Sequence, residues 1–480
     1  HRPPLLEREE SIERLSELVH RTAGGQGSIV SILGRPGEGK TTLLAAACVL
    51  AEERGLRVCR ARGSELERDF AFGVVRQLLE PDIRALDLQQ QNELFEGSAG
   101  LARSVFGLQS DRLADGPFAV LHGLYWVLEG FAARGPVLLA IDDLHWADET
   151  SLQLVAYLRS RIEDLPVLVI LATRPHMPDH DLLAALTADP DISTLRVKPL
   201  TQESVAILVE HAFNTPVDPI FTAACQQVSA GNPFAISELL AELRRRGSNP
   251  DRATAAVLED LASVEIERNV ASRLGRLDAE SLSVIHTLAV LDDGAPLRHV
   301  GVLSGLDLDR AAHAIDTLIA AGLLNPTSEL RFVHPLLRTA VYESIGARRR
   351  ARLHTAAANL LAQESAEPET IAAHLLQSDP AADPVNVEQL RTAAHVALRR
   401  AAPSVAVTYL RRALAEPPSK DDRMTVLAEL GRAEWMTGDP SAIEHLQASW
   451  EHSNDPMQRA QLAGELAGAL ALTGQWDAPI

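Results

Sequence analysis

The run Gly34-Arg35-Pro36-Gly37-Glu38-Gly39-Lys40-Thr41-Thr42 carries the most specific chemistry in the chain. It fits G-x-x-x-x-G-K-[ST], a spacing that lets backbone N–H groups curl around phosphate oxygens. Gly34, Gly37 and Gly39 supply the backbone freedom, with Arg35, Pro36, Glu38 and Thr42 completing the loop. Lys40 is placed to reach β- and γ-phosphates, and the Thr41 hydroxyl to sit on Mg²⁺. A second set follows a buried-strand pattern, Val137-Leu138-Leu139-Ala140-Ile141, which ends in Asp142-Asp143. Such a strand-end acid holds Mg²⁺ in phosphate-loop folds. Asp142 is assigned that role, through water, and Asp143 that of orienting or deprotonating the attacking water. A plain acidic turn is the other reading. Arg174 follows the next apolar strand and is placed to read a γ-phosphate with its guanidinium; a solvated loop arginine is the alternative.

These groups need elements that bring them together. Ser28-Ile29-Val30-Ser31-Ile32-Leu33 reads as a buried strand, and Leu43 to Ala51 as the helix that opens on the loop. Further strands are expected at Leu56 to Ala61, Val137 to Ile141, Val167 to Ala172 and Thr194 to Val197. A helix is expected over about 151–162, and an amphipathic one near the start carries Ile12, Leu15, Leu18 and Val19. Strands apolar throughout, alternating with helices, imply an α/β domain with a parallel sheet covered on both faces.

Composition narrows the rest. The 480 residues are 46% hydrophobic and 23% charged, as in globular domains, and the net charge is −20. That charge argues against a nucleic-acid surface. Arg244-Arg245-Arg246 and Arg348-Arg349-Arg350 read as solvated helix faces. Cys48, Cys59 and Cys225 form no disulfide framework, and reduced thiols in a cytoplasmic protein are expected. No apolar run approaches the ~20 residues of a membrane span. The start at His1 and the stop within a helical pattern read as a piece of a longer chain. His176 and His180 are four apart, but Pro175 and Pro178 break any helix that could make them a zinc pair.

Strand signals end near Leu200. The expected units are a phosphate-loop ATPase domain over 1–200, a small helical domain over 201–262, a winged-helix domain over 263–347 and tetratricopeptide-like repeats over 348–480. The third rests on three helices followed by a β-like excursion from Leu323 to Val333. Its helix near Leu308 to Ala320 carries Asp309 and Asp316 against a lone Arg310, the wrong charge for reading DNA. In the fourth, Ala467 to Gly474 repeats the Gly431 to Gly438 interval about 36 residues on, close to the repeat length of ~34. Trp435 and Trp476 fall at nearby positions.

Together with Ile141-Asp142-Asp143-Leu144-His145-Trp146-Ala147-Asp148, Gly231-Asn232-Pro233-Phe234 and Phe332-Val333-His334-Pro335-Leu336-Leu337-Arg338, these motifs resemble the large ATP-binding LuxR-type regulators. Those belong to the STAND class of AAA+-related ATPases. The resemblance implies a slow ATPase that switches a transcription regulator, with ATP or ADP and Mg²⁺ as cofactors. It places Arg8 near the adenine, although Glu7 stands where relatives often carry glycine, and packs Pro233 on the base. It also puts His334 on the β-phosphate, where a His-Pro pair that caps the next helix is the equal alternative. An inducer, small molecule or protein, is expected on the repeats, and a homo-oligomer in the ATP state. DNA would be bound only by a helix-turn-helix beyond residue 480, and no membrane contact is implied. An AAA+ motor or DNA-loading ATPase and a nucleotide-dependent scaffold without turnover are the rival readings.

Overall fold

The computed structural model describes residues 6–108, 116–175, 181–255, 258, 273–327, 329–416, 419–453 and 455–472. The His176/His180 pair and the Gly474 and Trp476 repeat positions lie outside them. Five strands form the sheet: β1 (Ser28–Leu33), β2 (Arg57–Arg62), β3 (Val137–Asp142), β4 (Val167–Thr173) and β5 (Ser193–Arg196). Their order is β2-β3-β4-β1-β5, and every pairing is parallel.

The continuous apolar strands are explained by cover on both faces. Successive side chains point to opposite sides. Val30, Ile32, Leu138, Ala140, Leu168 and Ile170 face α1 (Glu9–Ala23) and α2 (Lys40–Glu53). Ile29, Leu139, Ile141, Val169 and Leu171 face the other way. There they meet α3 (Gly73–Ala85), α5 (Pro117–Ala132) and α6 (Glu149–Arg159), with α4 (Leu88–Leu94) alongside. α6 starts two residues earlier than its sequence pattern suggests because Asp148 caps it, accepting the Ser151 N–H at 2.8 Å. α7 (Asp181–Ala188) completes the layer.

Beyond β5 the described elements are helical. α8 (Gln202–Phe213), α9 (Pro219–Ser229) and α10 (Pro233–Arg245) share a core around Val205, Phe221, Cys225 and Leu240. Next come α11 (Ala279–Leu291), α12 (Leu297–Ser304), α13 (Leu308–Ala320) and α14 (Pro335–Ser344). Among the described residues, the β excursion expected over 323–333 reduces to one antiparallel bridge, Leu324 with Phe332. Phe234 of α10 is buried in the core of this second helical module, which joins the two units.

The last seven described helices pack each against the next: α15 (Ala347–Gln363), α16 (Pro368–Leu376), α17 (Pro384–Arg399), α18 (Pro403–Ala415), α19 (Lys420–Thr437), α20 (Ser441–His452) and α21 (Pro456–Leu472). Glycine sets how closely they approach. A Cβ at Gly431 would lie 2.7 Å from Leu446, and one at Gly468 2.8 Å from the Trp435 ring. The repeats also dock on the sheet domain, with Ala358, Ile371, Leu390 and Tyr409 continuing its apolar core. Tyr409 donates to the Asp69 carbonyl at 2.7 Å. Glu369, 1% exposed, accepts the Ala71 N–H at 3.2 Å and pairs with Arg400 and Arg76. Among the described residues no helix is long and apolar enough to cross a membrane.

Where α14, α15 and α16 meet, His354 and His374 are each 1% exposed and touch through Nδ1 atoms 2.9 Å apart. One ring must donate and the other accept, so two imidazolium rings cannot share the contact. Burial, then His374, Arg350 and Arg338, push His354 down to about 3. Burial pushes His374 down to about 4, against the pull of Asp292. Both folded values lie below the ordinary one. Their stabilisation is therefore complete above about pH 6.5 and is lost as pH falls toward 4. At pH 5.5 each should have lost about 1–2 kcal/mol. The unfolding temperature should drop between pH 7.5 and 5.5, and His354→Gln should flatten that slope; an unchanged slope in the variant would refute the assignment.

Candidate functional site

Gly37 and Gly39 have φ of +80° and +96°, values that favour glycine, and they turn the chain from β1 into α2. Lys40 opens α2 and is 7% exposed. Its ammonium folds back over the loop, donating to the Gly34 carbonyl at 2.8 Å and the Arg35 carbonyl at 3.0 Å. Burial lowers its pKa, against the attraction of Asp143 and Asp142. Its hydrogen bonds go to neutral carbonyls, and a phosphate oxygen would give it a charged partner at contact distance.

β3 does not adjoin β1; β4 lies between them. The acid is thus one strand further away than a neighbouring strand would put it, yet the two ends meet. Thr41 Oγ1 donates to Asp142 Oδ2 at 2.8 Å. Burial and then the like charge of Asp143 raise the Asp142 pKa. A hydroxyl and an under-compensated carboxylate side by side suit Mg²⁺, which prefers oxygen ligands and keeps waters and phosphate oxygens in its shell. Among the described residues no group of three or more His, Cys, Asp or Glu could hold a metal alone.

Asp143 sits at φ +47°. Its Oδ1 lies 4.0 Å from Nε2 of the fully buried His145. Arg174 follows β4 at the gap between the β1 and β3 tips, close enough to Lys40 for its charge to disfavour the ammonium. Lys40, Thr41, Asp142, Asp143 and Arg174 therefore share one edge.

The rest of the loop is fastened from outside. Glu38 is buried and its carboxylate accepts the Arg35 N–H at 2.5 Å. A Cβ on Gly34 would lie 3.0 Å from that carboxylate. Asn232 donates to the Pro36 carbonyl at 2.8 Å, and the Phe234 N–H to the Gly37 carbonyl at 3.2 Å. A Cβ on Gly37 would lie 2.6 Å from Asn232 Oδ1. Pro233 stands between these two contacts, at the first turn of α10. Thr42 is exposed on the first turn of α2.

Arg8 is 5% exposed and donates to the carbonyls of Lys198 at 2.7 Å, Glu7 at 2.9 Å and Glu38 at 3.3 Å. It ties the amino terminus to β5 and the loop. Glu7 takes φ +56°, where glycine would sit without strain, and is held there by the Thr201 N–H and hydroxyl at 2.8 and 2.6 Å. His334 reaches the site from the second helical module. Its ring stacks on Phe234 with centroids 3.8 Å apart, and Nδ1 accepts the Leu336 N–H at 3.1 Å. The capping reading is thus realised, and it fixes the neutral ring's proton on Nε2. Burial pushes His334 down to about 4, against the pull of Asp143.

Asn232 and Phe234 lie in a quoted motif without being given a role there, and Arg62 and Asp293 lie in no motif. Arg62 Nε donates to Asp143 Oδ2 at 3.1 Å. Its place at the carboxyl end of β2, on the edge where Lys40, Thr41, Asp142, Asp143 and Arg174 meet, was the one signal available.

Residues 4–170 match the AAA ATPase domain family. An uncharacterised protein of Rhizobium meliloti (strain 1021) is 25% identical over 392 residues, which is 73% of this chain and 36% of that protein. The chain thus spans about a third of the length of this relative. The crystal structure of a STAND protein with a tetratricopeptide repeat sensor, from Pyrococcus horikoshii, superposes with a TM-score of 0.54 at 17% identity. That match covers 97% of this chain and 62% of the other. Residues 4–170 therefore carry an AAA-type ATPase domain, and the chain shares its fold with a STAND protein that bears a tetratricopeptide repeat sensor.

Proposed function

We propose that this chain is the nucleotide-gated switch of a LuxR-type transcription regulator. The observation that carries it is the meeting of Lys40, Thr41, Asp142, Asp143 and Arg174 at one sheet edge. The first helical module touches the same loop through Asn232 and Phe234, and His334 of the second stacks on Phe234.

Bound Mg²⁺·ATP supplies a γ-phosphate open to attack by water. Lys40 offsets charge on the β- and γ-phosphates. Thr41 and Asp142 hold the cation, Asp143 orients the water and accepts its proton, and Arg174 reads the γ-phosphate. His334, neutral and carrying its proton on Nε2, donates to the β-phosphate. Arg8 and Pro233 border the base. Turnover is slow, and its outcome is a change in how the modules sit. The second module, with three helices before its β bridge, acts as a winged helix adapted to packing. A small molecule or protein on the repeats biases the same equilibrium, the ATP form assembles with further copies, and DNA is engaged by a helix-turn-helix beyond residue 480. The setting is cytoplasmic.

Lys40→Ala should weaken ATP binding by about 100-fold, the scale of losing a charge-assisted contact in a buried site. Titration calorimetry would read it, and unchanged affinity would end the proposal. Asp142→Asn should leave ATP binding without Mg²⁺ intact but abolish the gain in affinity that Mg²⁺ gives. If the variant keeps that gain, Asp142 is not the cation's partner.

A further inference from the structure

A cavity of about 320 Å³ lies where the sheet domain, the second helical module and the repeats meet. The sheet domain gives it Glu65 and Leu66, from the short turn after β2. The second module gives Val290 of α11 and Arg338, Tyr342 and Glu343 of α14. The repeats give Arg350 and His354 of α15. The phosphate loop and the strand-end acids are not among its walls.

The charges of the lining are not matched to one another. The Arg350 guanidinium lies over the Tyr342 ring, 4.8 Å from its centroid, and donates to the Tyr342 carbonyl at 3.3 Å. Among the described residues it makes no ion pair, and neither do Glu65 and Glu343. Arg338 Nε lies 3.2 Å from Asp292 Oδ1, out of line for a hydrogen bond. The Tyr342 hydroxyl is 2.9 Å from His354 Nε2, and burial above all keeps that ring uncharged at neutral pH. The walls thus offer two guanidiniums and two carboxylates, with a third carboxylate beside Arg338.

A plain anion here would be drawn to Arg350 but repelled by Glu65 and Glu343, and a plain cation would meet the reverse. A molecule carrying both charges escapes both penalties. We propose that this cavity binds a free amino acid with an apolar side chain, which clasps the three parts together. Its carboxylate takes the Arg350 guanidinium, whose fork suits two oxygens. Its ammonium turns to Glu65 or Glu343, and Leu66 and Val290 receive the side chain. The volume is that of a small-molecule site. A ligand walled by all three parts loses contacts when any one of them leaves, so it favours the docked arrangement. Binding needs no nucleotide, and the site stands apart from the switch reading.

The test uses the full chain without nucleotide. Each standard amino acid is added singly at millimolar concentration, the unfolding temperature is read, and the best stabiliser is titrated by calorimetry. Isocaproate, isopentylamine and inorganic phosphate serve as the carboxylate alone, the amine alone and a bare anion. An apolar amino acid such as leucine should bind, and the three one-charge probes should bind at least about tenfold more weakly. Arg350→Gln should weaken the amino acid by about 10- to 100-fold, the scale of one charge-assisted contact. Arg350→Lys should keep most of the affinity. Leu66→Trp, which fills the cavity from the sheet side, should abolish binding. The unfolding temperature of each variant without ligand separates a lost site from a lost fold. Should no amino acid bind, the proposal fails. Phosphate or isocaproate binding as well as leucine makes this a plain anion site and overturns the assignment. Full affinity in both Arg350→Gln and Leu66→Trp puts the bound molecule elsewhere and overturns it too.

Discussion

All five strands run the same way, so their carboxyl ends lie on one edge, and that edge is where the charged side chains of the site converge. The strand order sets the spacing. With neighbouring strands about 4.8 Å apart, β1 and β3 stand roughly 10 Å from each other across β4. Lys40 and Thr41 reach in from one side, Asp142 and Asp143 from the other, and Arg174 rises from the strand between. A narrower gap would leave no room for a phosphate, and a wider one would part Thr41 from Asp142. Antiparallel pairing of any one of these strands would carry its tip to the opposite edge.

What could be read in advance was what is local along the chain. The loop, the strand-end acids and the arginine after β4 each announce themselves by residue type next to an apolar run, and the five strands fall where those runs fall. The boundary of α13 was equally legible. The contacts that fasten the loop are different in kind. Asn232 lies 196 positions from Pro36, and Arg62 lies 231 from Asp293. Neither pair has a spacing rule, because both depend on how separate modules pack. Arg8 shows the same limit: the resemblance sets it near an adenine, and nothing local in the sequence tells that three backbone carbonyls claim its guanidinium. Glu7 was an anomaly in the sequence, and its left-handed backbone supplies the reason why glycine would suit the position.

The modules are attached to the sheet domain by contacts of unlike chemistry. The repeats extend its apolar core through Ala358, Ile371 and Tyr409, and they bury Glu369 with two arginines. Opening that interface would expose apolar surface at about 25 cal/mol per Å² and strip a buried carboxylate of its partners. The second helical module keeps its own core. Its Asp292–Asp293 turn meets the β2 end through Ser64 and Arg62, polar groups that water can satisfy when they part. Polar contacts of this kind cost little to break and are sensitive to any charge placed beside them.

That difference decides which interface a phosphate can move. A bound group shifts an equilibrium only by its unequal affinity for the two arrangements. A γ-phosphate beside Lys40, Arg174 and Asp143 would act over a few ångströms on Arg62 and His334. Both belong to the polar set, and both face the second module or come from it. It would act hardly at all on the apolar contacts of α16 and α18 with the sheet domain. The repeats can still influence the site, because α15 packs against α11 and α12, and Glu364 at its end pairs with Arg298 and His299. The second module thus stands between two inputs. It is held to the repeats by α15 and to the sheet edge by ionic contacts, so a change in either contact alters the balance in the other.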